Sequence, residues 1–145
     1  MKKLTFIIAV LIFVFTSCDS GDFVGGRYFG TFRNKTNNEF EAGNLSFRHV
    51  KIDNNNTQFF MNGLIPLTAV DKNKYSSGIV GDHLLNDFLE TIPAIDSIHV
   101  CDSSETIVQM SVEAEFKSNS VQTTFSFIIS PDSTTVDVEF VGYNE

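Results

Sequence analysis

From Thr106 to Tyr143 apolar and polar residues alternate with little interruption, and few folds can use that pattern. In Thr106 to Lys117, Val108, Met110, Val112, Ala114 and Phe116 take one side, while Gln109, Ser111, Glu113 and Glu115 take the other. Val121 to Ile129 repeats the scheme with Val121, Thr123, Phe125, Phe127 and Ile129, and Thr135 to Tyr143 repeats it with Val136, Val138 and Phe140. A period of two puts alternate side chains on opposite faces of a strand. One dry face and one wet face indicate antiparallel pairing, and the polar turn residues Pro131-Asp132-Ser133 make the run a meander.

The earlier part of the chain supplies more strands. Phe23 to Arg33 is an aromatic strand punctuated by glycine, with Tyr28, Gly30 and Phe32 on one face. Glycine inside a strand marks a bend or a close approach of another backbone, as at the start of a curved sheet. It shows neither the G-x-G-x-x-G spacing nor the following helix that a phosphate loop requires. A second strand runs over Leu45 to Ile52 with Leu45, Phe47 and His49 alternating. Asp53-Asn54-Asn55-Asn56 is the strongest turn, because these side chains bond their own backbone. The returning strand, Thr57 to Leu64, has Phe59 and Met61 on one face and Phe60 and Leu64 on the other, so burial on both faces is expected, and Pro66 ends it.

Leu67 to Ser77 reads as mixed, with a helical turn around Leu67 to Val70. One clear helix is expected over Gly78 to Ile92, where Val80, Leu84 and Phe88 recur every four residues and Pro93 stops it. Its stripe should pack on the terminal meander. Ile95 to Cys101 reads as a short strand, turned by Asp102-Ser103-Ser104. The fold expected is mainly β: an antiparallel meander forming a small barrel or curved sheet of about seven strands, with one main α-helix packed against it.

The first twenty residues are of another kind. Lys2 and Lys3 precede an apolar run from Leu4 to Phe15 that ends near Cys18. As a helix, such a run would cover only about 18 Å of a hydrocarbon core of about 30 Å, so it reads as an export signal. Phe15-Thr16-Ser17-Cys18 resembles a bacterial lipobox, with Phe15 where leucine is commonest. The resemblance implies cleavage before Cys18 and acylation of that residue, palmitate among the chains. Two or three acyl chains, at about 0.8 kcal/mol per buried methylene, anchor a domain stably where one would not. The other reading is an ordinary secretory signal whose cysteine is incidental. The organisation expected is therefore 1–17 signal peptide, 18–22 lipidated cysteine and tether, and 23–145 a single β-rich domain.

Cleavage would leave 128 of the 145 residues, enough for one core without disulfide staples. It would also leave 8 basic against 18 acidic residues, a net charge of −10 that repels both nucleic acid and anionic lipid headgroups and excludes nucleic acid as a partner. Fifteen phenylalanines and no tryptophan suit aromatic packing in pleated structure.

Gly26-x-Tyr28 at the start of a curved strand resembles the Gly-x-Trp opening of lipocalin-type barrels, without the tryptophan. The order of signal, strands, Leu64-Ile65-Pro66-Leu67, helix and terminal meander is similar to small Bacteroidota lipoproteins of no assigned activity. The resemblance implies a cell-envelope location, lipid-anchored at the outer membrane on its periplasmic side or at the cell surface. Asp19-Ser20-Gly21-Asp22 behind the cysteine is compatible with surface export, with inner-membrane retention, or with a plain solvated spacer.

Chemistry is sparse. His99, Cys101 and Asp102 form the only tight cluster, with His99 and Cys101 on one face of the expected strand, yet zinc needs three or four convergent ligands. His83 and Asp87 stand four apart on the expected helix and read as a metal pair, a base with its orienter, or a surface pair. Glu113 and Glu115 share a strand face, like paired acids or like ordinary solvated alternation. No G-x-S-x-G elbow is present. No catalytic residue, metal or cofactor is assigned, and Cys101 is expected to remain a passive thiol. The function expected is a non-catalytic binding module for a small apolar or glycan ligand, held at the membrane through Cys18. The alternative is a structural or partner-docking envelope lipoprotein. A pocket inside the barrel, as opposed to a filled core with an exposed apolar patch outside, separates the two.

Overall fold

The structure is a computed structural model that describes residues 25–144; the expected signal peptide, Cys18 and the expected tether lie outside the described residues. Eight antiparallel strands close into a ring in simple up-and-down order. They are β1 (Gly26–Asn34), β2 (Phe40–Lys51), β3 (Thr57–Met61), β4 (Ile65–Asp71), β5 (Lys74–Gly81), β6 (Thr106–Lys117), β7 (Ser120–Ser130) and β8 (Thr134–Asn144). Two short helices, α1 (Asp82–Glu90) and α2 (Ala94–Ser97), interrupt the meander between β5 and β6. The ring closes where β1 pairs with β8, Phe32 opposite Phe140 and Gly30 opposite Gly142. A side chain at Gly30 would collide with the Val141 carbonyl, and one at Gly142 with the Phe140 ring. Glycine at these two positions lets the strands coil tightly enough to close.

Up-and-down order gives the barrel two distinct ends. At one, the chain enters β1 beside the end of β8, among the turns 52–56, 72–73 and 118–119; we call it the open end. At the other, the capped end, α1 and α2 lie over the interior. Between them, eight strands enclose a space just wide enough for side chains to fill, and here it is filled. Tyr28, Phe47, Phe59 and Phe116 pack together toward the open end, each 3% exposed or less. Phe32, Phe88, Phe125, Phe127 and Phe140 pack toward the capped end, each fully buried.

The terminal meander is as the alternation requires, with Val112, Ala114, Phe116, Val121, Thr123, Phe125, Phe127, Ile129, Val138 and Phe140 inside. Val108 departs from it. A bulge between Ile107 and Gln109 turns Val108 outward, to 41% exposure.

The strands number eight because the segment read as mixed is a hairpin, β4 and β5, with no helical turn at Leu67 to Val70. Ile65 and Leu67 are buried, and Pro66 lies where β4 has only β3 beside it, since pairing with β5 starts at Thr68. Proline is tolerated at such a place. Asn62 and Gly63, both at positive φ, turn β3 into β4 and leave Phe60 and Leu64 half-buried.

The helix begins at Asp82, not Gly78, because β5 runs on to Gly81 after a bulge at Gly78, φ +68°. Val80 is thus buried from a strand, Leu84 is 36% exposed, and the buried stripe is Leu85, Phe88 and Ile92. Phe88 still reaches the meander, stacking on Phe125 with ring centroids 6.1 Å apart. Thr91 ends the helix, its hydroxyl donating to the Phe88 carbonyl at 2.6 Å, and Pro93 prevents another turn. The segment from Ile95 to Cys101, expected as a strand, is α2 followed by irregular chain. Ile98 and Val100 are buried around an exposed His99 at φ +48°, a local pattern that imitates strand alternation.

Candidate functional site

The expected His99 and Cys101 pair is not assembled. His99 turns to the β1–β2 hairpin, where its Nδ1 lies 2.7 Å from Glu39 Oε2 on the surface. Beneath it Asn34, 1% exposed, donates to the Ile98 carbonyl at 3.0 Å and accepts from the Thr36 N–H at 2.9 Å. Asn37 adds a second donor to Ile98 at 3.2 Å. These bonds satisfy the turn after α2 and clip it to the hairpin, a structural task for residues that carry polar chemistry. Cys101 is partly buried against the core. Burial, then the carboxylates of Glu105, Asp96 and Asp102, push its thiol above the usual range and leave it a poor nucleophile.

His83 and Asp87 are both exposed on α1 and make no hydrogen bond to each other. No group of three or more His, Cys, Asp or Glu that could hold a metal occurs among the described residues. No helix among them is long and apolar enough to cross a membrane.

Glu113 and Glu115 do meet in a concavity. It lies on the outer face of β4 to β7, has a volume of about 370 Å³, and is lined by these carboxylates with Val70, Lys74, Gln122 and Thr124. Pairing register fixes the arrangement: Lys74 and Gln122 flank Glu115, and Ser76 and Thr124 flank Glu113. Neither carboxylate makes a side-chain hydrogen bond among the described residues, whereas Gln122 is held by Glu139 at 3.1 Å. A second concavity of about 230 Å³ lies between β1, β2 and the α1–α2 connection, walled by Phe32, Ile92 and Ala94. The first is outside the aromatic interior, and the second meets its edge at Phe32. At the open end that interior is itself roofed by His49 and Tyr75, with ring centroids 4.7 and 4.6 Å from Phe59.

Charge divides the barrel by its ends, which the sequence reading, taken over the whole chain, did not separate. The half toward the open end holds Arg27, Arg48, Lys51, Lys72, Lys74 and Lys117 against Asp53, Asp71, Glu113 and Glu115. Among the described residues the opposite half holds only Arg33 and Lys35 as lysine or arginine, with His83 and His99. There α1, α2 and the chain leading to β6 present Asp82, Asp87, Glu90, Asp96, Asp102 and Glu105. Glu39 and Glu41 on the β1–β2 side, and Asp132 and Asp137 on the β7–β8 side, add to them. The acidity of the described residues is thus concentrated on the capped end. Compared with known proteins, the chain matches no family model, no curated protein and no solved structure.

Proposed function

We propose that the chain is a cell-envelope lipoprotein, anchored through acylated Cys18, whose barrel is a rigid platform that docks a partner protein at its outer surface. The observation that carries this reading is the filled interior. Its large side chains, Tyr28, Phe32, Phe47, Phe125, Phe127 and Phe140 among them, are 2% exposed or less. A lipocalin-like reading implies a ligand cavity, but with these rings in place an apolar ligand has no volume to occupy. The acidic capped end gives the chemistry of the partner, a basic surface steered by complementary charge.

The test places a photo-crosslinking residue at Leu84, on the capped end, in cells. One crosslinked partner, lost on reversal of Asp82, Asp87 and Glu90 to lysine, is the expected result. Equal crosslinking in parent and reversed protein would sink the docking reading. For the anchor, Cys18→Ala should move the protein out of the detergent phase. A variant as membrane-bound as the parent would contradict it.

A second reading rests on the outer concavity. Its volume is within the range of small-molecule sites, and its two unbonded carboxylates beside Gln122 and Thr124 suit a hydroxyl-rich ligand such as a glycan. Glu113→Gln with Glu115→Gln should then abolish calorimetric binding of a sugar that the parent takes. A parent that binds no sugar across a glycan array would remove this reading.

A further inference from the structure

We infer that the open end of the barrel is a docking surface for an anionic lipid bilayer, so that the protein stands upright with its helix-capped end away from the membrane. This rests on the lipid-anchor reading for its setting and on the fold for its argument. Gly25, where the described chain enters the barrel, is seven residue steps from Cys18. Fully extended they span at most about 25 Å, less than a domain diameter. An acyl group at Cys18 would therefore hold the end of entry against the headgroups.

That end is built for the contact. Lys51 closes β2, Lys72 sits in the β4–β5 turn and Lys117 closes β6, all exposed. Backbone bonds join the Lys72 and Lys117 turns of this rim to the end of β8. The Phe116 N–H donates to Asn73 O at 2.8 Å, and the Asn144 N–H donates to Asn119 O at 2.8 Å. Gly26 at the start of β1 stands beside Asn144, completing the circuit to the point where the chain enters. The same rim carries its own exposed apolar residues, Ile52 at 62%, Val70 at 69% and Tyr143 at 59%. Lysines interleaved with apolar tips and a tyrosine suit a headgroup layer, where charge meets phosphate and the tips reach the acyl boundary.

The excess of acid elsewhere does not cancel this. Eleven residues of tilted strand separate the two ends by roughly 25 to 30 Å, about three Debye lengths at physiological salt. The bilayer therefore meets the field of the lysine rim, while the acids of the capped end are screened. Two acids share the rim: Asp53, which accepts from the Asn55 and Asn56 N–H groups at 2.8 and 2.9 Å, and Asp71, which accepts from the Lys72 N–H at 2.7 Å. Both stay charged, so the bilayer would meet the excess of Lys51, Lys72 and Lys117 over this pair.

The test uses mature protein extracted from membranes and mixed with vesicles of phosphatidylcholine alone or with phosphatidylglycerol. A fluorophore is attached at Ile52→Cys or at Asp132→Cys, each with Cys101→Ser, and headgroup-labelled nitroxide lipid is the quencher. Sedimentation with both vesicles reports the anchor. On the anionic vesicles position 52 should be quenched several-fold more than position 132. Lys51→Glu, Lys72→Glu and Lys117→Glu together should erase that difference, while Arg33→Glu with Lys35→Glu leaves it. Equal quenching at the two positions, or a difference indifferent to lipid charge and to the rim reversal, overturns the proposal even if the anchor holds. Sedimentation with anionic vesicles alone supports the rim and refutes the anchor. Sedimentation with neither refutes both, as does rim-dependent retention on heparin without vesicle binding for the bilayer surface.

Discussion

The two ends of the barrel solve the same problem by different means. At the capped end the interior is covered by chain that leaves the sheet: α1 contributes Leu85 and Phe88, and the residues after it contribute Ile92, Ile95 and Ile98. At the open end the strands cover themselves, with Tyr75 and His49 lying over Phe59 and short turns tying neighbouring strands together. The first solution needs an inserted segment with its own polar clip, Asn34 to Ile98, and leaves acids on the outside. The second needs only aromatic side chains and leaves the rim free for lysines. A barrel sealed differently at each end can face two different surroundings without changing its core.

If the capped end depends on the inserted helix, Phe88→Ala should have the largest effect. Loss of that ring beneath Phe125 should cost about 3 to 5 kcal/mol in urea unfolding, a large part of the stability of a domain this size. A loss within about 0.5 kcal/mol would mean the helix is not part of the seal. Next comes the clip. Asn34→Ala strips the Ile98 carbonyl of its buried donor and should cost about 1 to 3 kcal/mol, with faster amide exchange in residues 94–101 and unchanged exchange in β7.

Between the ends, the Thr123 hydroxyl is buried with no partner among the described residues. Thr123→Val, which removes a desolvated hydroxyl and keeps the shape, should be neutral or raise stability by about 1 kcal/mol. The smallest effect belongs to the open end. Asp53 is held below the usual carboxylate range, chiefly by the Asn55 N–H and then by the Asn56 side chain. The charged form is thus favoured by folding, so its contribution is present above pH 3.8 and is lost as pH falls through the lower folded value. Asp53→Ala should lower the melting temperature slightly at pH 7, and the gap should shrink in acid; a gap constant with pH would contradict the assignment.

How much of this was legible follows the same division. The strands β6 to β8 pair over their whole length with one wet face, so period two gave their inward residues, Val108 excepted. The β4–β5 hairpin was hidden because Pro66 and two bulges break the alternation, although Asn62-Gly63 was a turn signal that went unused. The inserted segment misled in both directions. Val80 and Phe88 match at helical spacing across a boundary that tertiary pairing, not propensity, sets at Gly81. The charged ends could not be read at all, because the sequence gives net charge while only strand order says which charges share an end. Glu113 and Glu115 were visible as a pair, but their concavity with Lys74 and Gln122 depends on β5 and β7 flanking β6.

The account turns on the interior being a structural core and not a binding site. Native mass spectrometry of the protein, extracted gently from its own membranes, tests that directly. The expected mass is that of the chain from Cys18 with its acyl groups and no other retained molecule. A further apolar molecule bound at one per chain, and lost when Phe125 or Phe47 is enlarged to Trp, would contradict the account and return function to the inside of the barrel.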